Sequence, residues 1–176
     1  MSETTTTAQA GTRLIAGKGQ DLVVVEGLRV QPEWIDYNQH MNVAYYVLAF
    51  DLAVDQVFDL FGLTQEYRTL SGRSSFALES HVTWQRELHL DDPLRITVQF
   101  LGYDGKRVHS IYHMYHAEEG FLAATSEWLQ ISVDMTARRS APFEEPVASQ
   151  IAALVDRHKS LPQPPEVGRV MAVKTR

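Results

Sequence analysis

The hydrophobic pattern changes its period once along this sequence, and that change restricts the fold more than any other feature. Between residues 43 and 61, apolar side chains recur every three or four positions, which is the period of one face of an α-helix. The members of this stripe are Val43, Val47, Phe50, Val54, Val57, Phe58 and Phe61. Asn42 is suited to the N-cap of such a helix and Gly62 to its C-terminal end. The sequence therefore predicts one long amphipathic helix.

Beyond this helix the period becomes two, as in strands with one buried face. Phe76, Leu78, Val82 and Trp84 fall on one side of such a strand, with Ser80 among them. Asp104-Gly105 is typical of a two-residue hairpin turn. The predicted strands cover residues 22–30, 76–84, 94–100, 107–116 and 121–133, and residues 146–157 are predicted to form a short helix. This order predicts an α+β fold in which one long helix packs on a face of an antiparallel sheet.

Composition limits the possible functions. The chain has 176 residues, and we expect one domain over residues 21–158 between a flexible N-terminal tail (1–20) and a C-terminal tail (159–176). The absence of cysteine excludes a cysteine nucleophile and thiolate-ligated metals. The net charge of −6 argues against nucleic-acid binding, and no apolar run approaches the roughly 20 residues of a membrane span. We therefore expect a cytoplasmic protein that binds neither nucleic acid nor membrane.

Candidate catalytic residues are concentrated just before the long helix. The segment Asp36-Tyr37-Asn38-Gln39-His40-Met41-Asn42 places a carboxylate, amides and an imidazole within seven positions. The helix N-terminus adds unpaired N–H groups and the positive end of the helix dipole. Hydrolysis of an ester or thioester needs a group that activates water or attacks the carbonyl, and donors for the developing oxyanion. This segment can supply both, although Asp and Asn are also common in turns that lead into helices.

The same residues resemble a known family. Asp36-x-Asn38-x-His40-Met41-Asn42, with Tyr45 in the helix, is similar to the signature of hot-dog-fold thioesterases of the 4-hydroxybenzoyl-CoA type. The resemblance covers about residues 25–140. It implies a hot-dog fold, in which an antiparallel sheet of five to six strands wraps around one long helix. It also implies hydrolysis of a small acyl-CoA to free acid and CoA, with CoA as part of the substrate and no cofactor.

The resemblance implies roles for individual residues. In the bacterial 4-hydroxybenzoyl-CoA enzyme the catalytic carboxylate falls where this sequence has Asn38, and an amide cannot act as a base. In the Asp-x-Asn-x-His pattern of plant acyl-carrier-protein thioesterases the carboxylate corresponds to Asp36, which is therefore the expected base or nucleophile. Asn38 is expected to position water or substrate, and His40 to act as an acid–base or orienting group. A backbone N–H near Tyr45 is expected to polarise the thioester carbonyl.

Substrate recognition is expected from basic and aromatic residues. Lys106 and Arg107 follow the predicted hairpin turn, where the family binds the CoA phosphates. Residues 30–41 and 76–81 are also similar to the betainyl-CoA thioesterases of bacterial carnitine breakdown, whose substrate carries a quaternary ammonium. Aromatic rings could enclose such a cation, with Glu79 adding negative charge. The candidate rings are Trp34, Tyr37, Tyr45, Tyr46, Trp84 and Trp128, for which a place in the core is the alternative.

Other functions and the assembly remain to be weighed. A hydratase or dehydratase acting on an acyl thioester is one alternative, although such enzymes of this fold usually carry an Asp/His pair in a different local pattern. A non-catalytic acyl-CoA-binding module is another.

His109, His113 and His116 lack a carboxylate or cysteine at suitable spacing, so no metal site is expected. Because the family joins two sheets edge to edge, we expect a homodimer with composite sites, with a homotetramer as the further alternative.

Overall fold

One antiparallel sheet and one long helix organise the chain. The computed structural model describes residues 11–14 and 22–173. The strands are β1 (Gly11–Leu14), β2 (Val23–Arg29), β3 (Arg73–Trp84), β4 (Pro93–Tyr103), β5 (Arg107–His116), β6 (Leu122–Asp134) and β7 (Arg139–Ser140). The helices are α1 (Val43–Asp59), α2 (Gln65–Ser71) and α3 (Val147–His158), and a 3₁₀ turn spans Pro32–Trp34. The predicted α+β class is confirmed.

The sheet places the strand that follows the helix at its edge. Neighbouring strands run in the order β1-β2-β4-β5-β6-β3, every pair is antiparallel, and β7 pairs with the end of β6. Seven strands are therefore described, more than the five to six expected. The additions are the two-residue β7 and β1, which lies within the segment predicted to be a flexible tail. The other residues of that segment, 1–10 and 15–20, lie outside the described residues.

The long helix packs on one face of this sheet, called here the inner face, which gives the predicted hot-dog arrangement. The side chains of α1 that are buried there are Tyr46, Ala49, Phe50, Ala53, Val54, Val57 and Phe58. The Phe50 ring meets Tyr112 of β5 edge-on, with centroids 6.4 Å apart. Val43 and Val47 were predicted to continue the buried stripe, but they are 57% and 37% exposed. The core therefore leaves Val43 and Val47 uncovered, although Tyr46 and Ala49 in the same two turns are buried.

Local signals set the ends of the helices. The Asn42 side chain accepts a hydrogen bond from the Ala44 N–H at 3.0 Å, which confirms the predicted N-cap. The helix α1 ends at Asp59, and Gly62 lies beyond it with φ 83°. The short helix α2 was not predicted, although Thr64 caps it and Gly72 ends it in the left-handed region.

A bulge in β3 changes which side chains face the helix. The register of β3 against β6 shifts between Ala77 and Glu79, so one extra residue is accommodated there. Ser80, Val82 and Trp84 share the inner face of the sheet. The register shows this, because Ser80 lies opposite Trp128 of β6, and Trp128 lies opposite Ser110 on the buried side of β5. The prediction that Phe76 shares a side with Val82 is therefore wrong.

The C-terminal segment crosses the other face of the sheet, called here the outer face. His158 of α3 accepts the Phe100 N–H at Nδ1, at 2.8 Å. Beyond α3, Gln99 donates to the carbonyl of Pro162 at 3.3 Å, and the Gly168 N–H donates to Glu127 Oε2 at 2.8 Å. The described part of the predicted C-terminal tail is thus attached to the sheet.

Over the described residues, no helix combines the length and apolar character needed to cross a membrane.

Candidate active site

The segment before α1 folds into a closed loop. Ile35 and Met41 pair as an isolated antiparallel bridge. The Asp36 N–H donates to the carbonyl of His40 at 3.1 Å, and the Gln39 N–H donates to the carbonyl of Asp36 at 3.0 Å. Gln39 takes a positive φ of 67°, which lets the chain turn back within five residues. The loop is therefore held by its own backbone before any substrate is present.

The Asp36 carboxylate lies at the centre of this loop. Its Oδ1 accepts the Asn38 N–H at 2.7 Å, and its Oδ2 lies 3.5 Å from Asn42 Nδ2. The His40 Nδ1 is 3.9 Å from Oδ1 and 3.4 Å from the carbonyl oxygen of Met41. The Asp36 side chain is 14% exposed and that of His40 is 32% exposed. The structure thus brings the predicted acid, amide and imidazole together, with the carboxylate fixed but still reachable.

The first turn of α1 begins directly after the Asp36 loop. The Ala44 N–H is used by the Asn42 side chain, and the Tyr45 N–H donates to the Asn42 carbonyl at 3.0 Å. Val43 is the first helical residue, so its N–H has no acceptor within the helix. Among the N–H groups near Tyr45, that of Val43 is thus the one left without an acceptor in the helix, and it lies at the positive end of the helix dipole. The role expected for a backbone N–H near Tyr45 stays a prediction.

Leu88, between β3 and β4, anchors the loop to the core. The Met41 N–H donates to the Leu88 carbonyl at 2.7 Å, and the Leu88 N–H donates to the Tyr46 hydroxyl at 3.1 Å. Burial raises the pKa of Tyr46 to about 12, although the bond from Leu88 lowers it. The Trp34 ring stacks on Tyr45 with centroids 5.8 Å apart. Leu88 was missed by sequence reasoning, and its one signal is that it is an apolar residue between the polar Glu87 and His89.

The basic pair predicted to bind CoA lies at the other end of the helix. The Phe143 N–H donates to the Gly105 carbonyl at 3.0 Å, and the Phe143 ring stacks on Phe58 near the C-terminal end of α1. Asp36 lies at the N-terminal end of this 17-residue helix, which is about 25 Å long at 1.5 Å per residue. Within one chain, Lys106 and Arg107 are therefore not brought to Asp36.

Arg107 is also held locally. Its Nε and Nη2 lie 2.8 and 2.7 Å from Asp104 Oδ2. The backbone N–H of Arg107, its side chain and the Lys106 N–H together lower the pKa of the Asp104 carboxyl to about 2. The Lys106 side chain has no such bond to Asp104. Of the two predicted phosphate ligands, Lys106 is thus the one whose charge is less compensated at this turn.

The six aromatic candidates do not form one cage within the chain. Tyr37 is 89% exposed at the tip of the loop and Trp84 is half exposed, whereas Trp34, Tyr46 and Trp128 are buried in the core. Glu79 faces the outer face, where it lines a cleft of about 570 Å³. Other residues lining this cleft include His81, His109, Glu127, Gly168, Arg169 and Met171. Glu79 is therefore separated from Asp36 by the sheet.

The histidines of β5 have individual partners. His109 pairs with Glu127 at 2.7 Å, His113 lies 3.5 Å from Glu166, and His116 lies 3.4 Å from Asp92. In the part of the chain that the structure describes, no group of three or more histidine, aspartate or glutamate side chains could hold a metal ion.

Comparison with known proteins gives consistent results. Residues 30–151 match the sequence profile of the thioesterase-like superfamily. The betainyl-CoA thioesterase of Pseudomonas aeruginosa is 38% identical over 144 residues, covering 82% of this chain and 91% of that protein. The L-carnitine dehydrogenase/betainyl-CoA thioesterase of Rhizobium meliloti is 30% identical over 146 residues, covering 83% of this chain and 29% of that protein. A solved Staphylococcus aureus protein in complex with CoA has a TM-score of 0.82 at 30% identity, covering 89% of this chain and 98% of that one.

The bond between Tyr46 and Leu88 leads to a stability prediction. The change Tyr46→Phe keeps the ring and leaves the buried Leu88 N–H without an acceptor. We expect it to lower the free energy of unfolding by about 1–3 kcal/mol, measured by urea titration at fixed protein concentration. Tyr37→Phe removes the same atom from a side chain that is 89% exposed and should change this free energy by less than about 0.5 kcal/mol. Equal effects of the two changes would contradict the anchoring role of Tyr46.

Proposed function

Because this chain belongs to the thioesterase-like superfamily and is a thioester hydrolase, we propose that it cleaves a small acyl-CoA to the free acid and CoA at Asp36. The observation that carries the proposal is that the Asp36 carboxylate lies 3.5 Å from Nδ2 of Asn42, the N-cap residue of α1. The CoA bound to the Staphylococcus aureus protein supports the CoA part of the substrate. The name of the Pseudomonas aeruginosa relative supports a betainyl group as the acyl part.

The geometry suggests a division of roles. Asp36 either takes a proton from water as the water oxygen attacks the thioester carbon, or attacks that carbon itself to give an anhydride that water then hydrolyses. In both routes the carbonyl oxygen gains negative charge, for which the Val43 N–H and the helix dipole are suited. The intermediate then expels CoA as a thiolate, which takes up a proton. Asn38 and His40 flank the carboxylate and are proposed to orient water and carry protons.

The proposal includes a symmetric homodimer formed through β3. Within the described residues β3 is an edge of the sheet, and its Phe76 and Leu78 are 48% and 54% exposed. Its Trp84 end leads to Leu88 and the Asp36 loop. Near the other end of β3, Phe76 lies opposite Ile131 of β6, and Arg107 of β5 lies opposite the same Ile131. If β3 pairs with its own copy in the antiparallel sense, the Lys106–Arg107 end of one chain lies beside the Asp36 end of the other.

This arrangement would bring together groups that one chain keeps at opposite ends of its helix. Lys106 and Arg107 of one subunit would hold the CoA phosphates while Asp36 of the other acts on the thioester.

A cytoplasmic location is part of the same proposal and is supported by a sequence without cysteine, which suits a reducing compartment. Doubling of the dimer to a tetramer stays a prediction.

The reaction itself can be tested by the release of CoA. Because the chain contains no cysteine, a thiol reagent added to a series of short acyl-CoAs reports the CoA product alone. A hydratase would alter the acyl chain without releasing thiol, and a binding module would do neither. We expect Asp36→Asn to lower kcat by at least about 100-fold. Glu33→Gln removes an exposed carboxylate three residues earlier and should leave kcat nearly unchanged, whereas normal turnover by folded Asp36→Asn protein would remove Asp36 from this role.

The basic pair should affect binding more than chemistry. Replacing Lys106 and Arg107 together with Ala is expected to raise KM for acyl-CoA several-fold, with a smaller change in kcat, because contacts with remote phosphates bind substrate and transition state alike. Lys159→Ala removes a positive charge that is paired with Asp156 and should leave both constants unchanged. A collapse of kcat at constant KM would assign the pair a different role.

The dimer can be tested at its proposed edge. Leu78→Lys places a charge on the exposed edge strand and is expected to shift the protein toward a monomer of about 20 kDa, seen by light scattering at sub-micromolar concentration, with at least about tenfold lower turnover. Leu70→Lys makes the same change at a leucine of α2 that is 80% exposed and should affect neither measurement. A monomer that retains full turnover would overturn the composite site.

A further inference from the structure

Asn42 is held by all four of its polar groups. Its backbone N–H donates to the Trp34 carbonyl at 2.9 Å, and its carbonyl accepts the Tyr45 N–H at 3.0 Å. In the side chain, Oδ1 accepts the Ala44 N–H at 3.0 Å, and Nδ2 donates to Asp36 Oδ2 at 3.5 Å. The residue therefore joins the 3₁₀ turn, the Asp36 loop and the start of α1 at one point.

The helix cap determines which end of the Asn42 amide faces Asp36. An amide has an acceptor oxygen and a donor nitrogen, and the oxygen is used by the Ala44 N–H at the N-terminus of α1. The nitrogen is thereby turned toward the carboxylate of Asp36. Rotation of the amide by half a turn would break the cap and bring two oxygen atoms together. The N-cap of α1 thus also fixes a hydrogen-bond donor beside Asp36.

The two oxygens of the Asp36 carboxylate have different surroundings. Oδ1 accepts the Asn38 N–H in a short bond of 2.7 Å, and the His40 Nδ1 lies 3.9 Å from it. Oδ2 has the contact with Asn42 at 3.5 Å, which is near the outer limit of a hydrogen bond. So long a bond orients this oxygen but engages its lone pairs only weakly. Oδ2 is therefore the oxygen that is better able to accept a proton or attack a carbon atom.

We infer that Oδ2 of Asp36 is the reacting oxygen and that Asn42 is a positioning residue, which directs this oxygen and stabilises its negative charge. The inference rests on the proposed thioesterase function and deepens it, because it states which oxygen of Asp36 meets the substrate. A donor in contact with a carboxylate favours the ionised form. The ionised form is the one that takes a proton from water or attacks the thioester carbon.

The change Asn42→Asp separates this role from capping. Aspartate has the same shape as asparagine and is an equally good N-cap, so α1 keeps its cap. The donor that faces Oδ2 becomes a carboxylate oxygen, and two like charges at this distance disfavour ionisation of both groups. The pair therefore holds a proton up to a higher pH. We expect kcat/KM at neutral pH to fall at least about tenfold, and the acid limb of its pH profile to move upward by about one pH unit or more.

The profile is measured as CoA release from betainyl-CoA and acetyl-CoA, with each reaction stopped and its thiol assayed at one fixed pH. Gln163→Glu makes the same change from amide to carboxylate in the exposed C-terminal segment on the outer face, and it should leave kcat/KM and the profile unchanged. Asn42→Ser keeps a capping oxygen but has no donor and adds no charge. It should lower kcat several-fold with little change in KM, and move the acid limb less than Asn42→Asp. His40, the titratable group facing Oδ1, is retained in every variant.

Each other result has a definite meaning. A folded Asn42→Asp protein with the wild-type pH profile overturns the inference, and so does a loss of activity that is equal at every pH, as a structural defect alone would give. If urea titration shows that Asn42→Asp does not fold, Asn42→Ser decides, and a normal kcat overturns the inference. In these cases a loss of turnover in Asp36→Asn would leave the proposed hydrolysis intact. Normal turnover by folded Asp36→Asn, or failure to release CoA from any acyl-CoA, would instead overturn the proposed function and the inference with it.

Discussion

Two hydrogen bonds at Leu88 hold the candidate site in place. This fully buried residue receives the Met41 N–H at its carbonyl and donates its own N–H to the Tyr46 hydroxyl. The bonds join three parts of the chain: the Asp36 loop, the helix α1 and the connection between β3 and β4. Because the surroundings are apolar, breaking either bond would leave a polar group without a partner at considerable cost. The orientation of the Asp36 loop is thus determined by the core as well as by its own turn.

Features with a local cause could be predicted from the sequence. The bounds of β5, 107–116, coincide with the prediction because the Asp-Gly turn fixes where that strand starts. The helix α1 and its Asn42 cap followed from periodicity and capping chemistry. The bulge after Ala77 and the bonds of Leu88 have no local signal, because each depends on a distant strand or side chain. Periodicity also gave the direction of Val43 and Val47 but could not reveal that the sheet leaves them uncovered.

The same distinction between local and long-range causes holds for the residues of the candidate site. Asp36, Asn38 and His40 lie within five consecutive residues, so a turn alone brings them together, as predicted. Lys106 and Arg107 depend on topology, and the length of α1 keeps them away from Asp36 in a single chain. A two-fold axis at β3 would turn this separation into proximity, because the antiparallel copy reverses the direction of the strand. The proposed dimer would thus account both for the open edge of the sheet and for the distance between Asp36 and the basic pair.

Helix α1 presents the positive end of its dipole at its N-terminus and a row of negatively charged aspartates further along. Its N-terminus presents the positive end of the dipole, which suits the oxygen of a thioester as it gains negative charge. About two turns further on lies the Asp51 carboxyl, whose pKa is raised by partial burial and by the neighbouring Asp55. Asp51, Asp55 and Asp59 lie four residues apart, and within the described residues Arg68 bonds to Asp55 alone, so the row is not neutralised evenly.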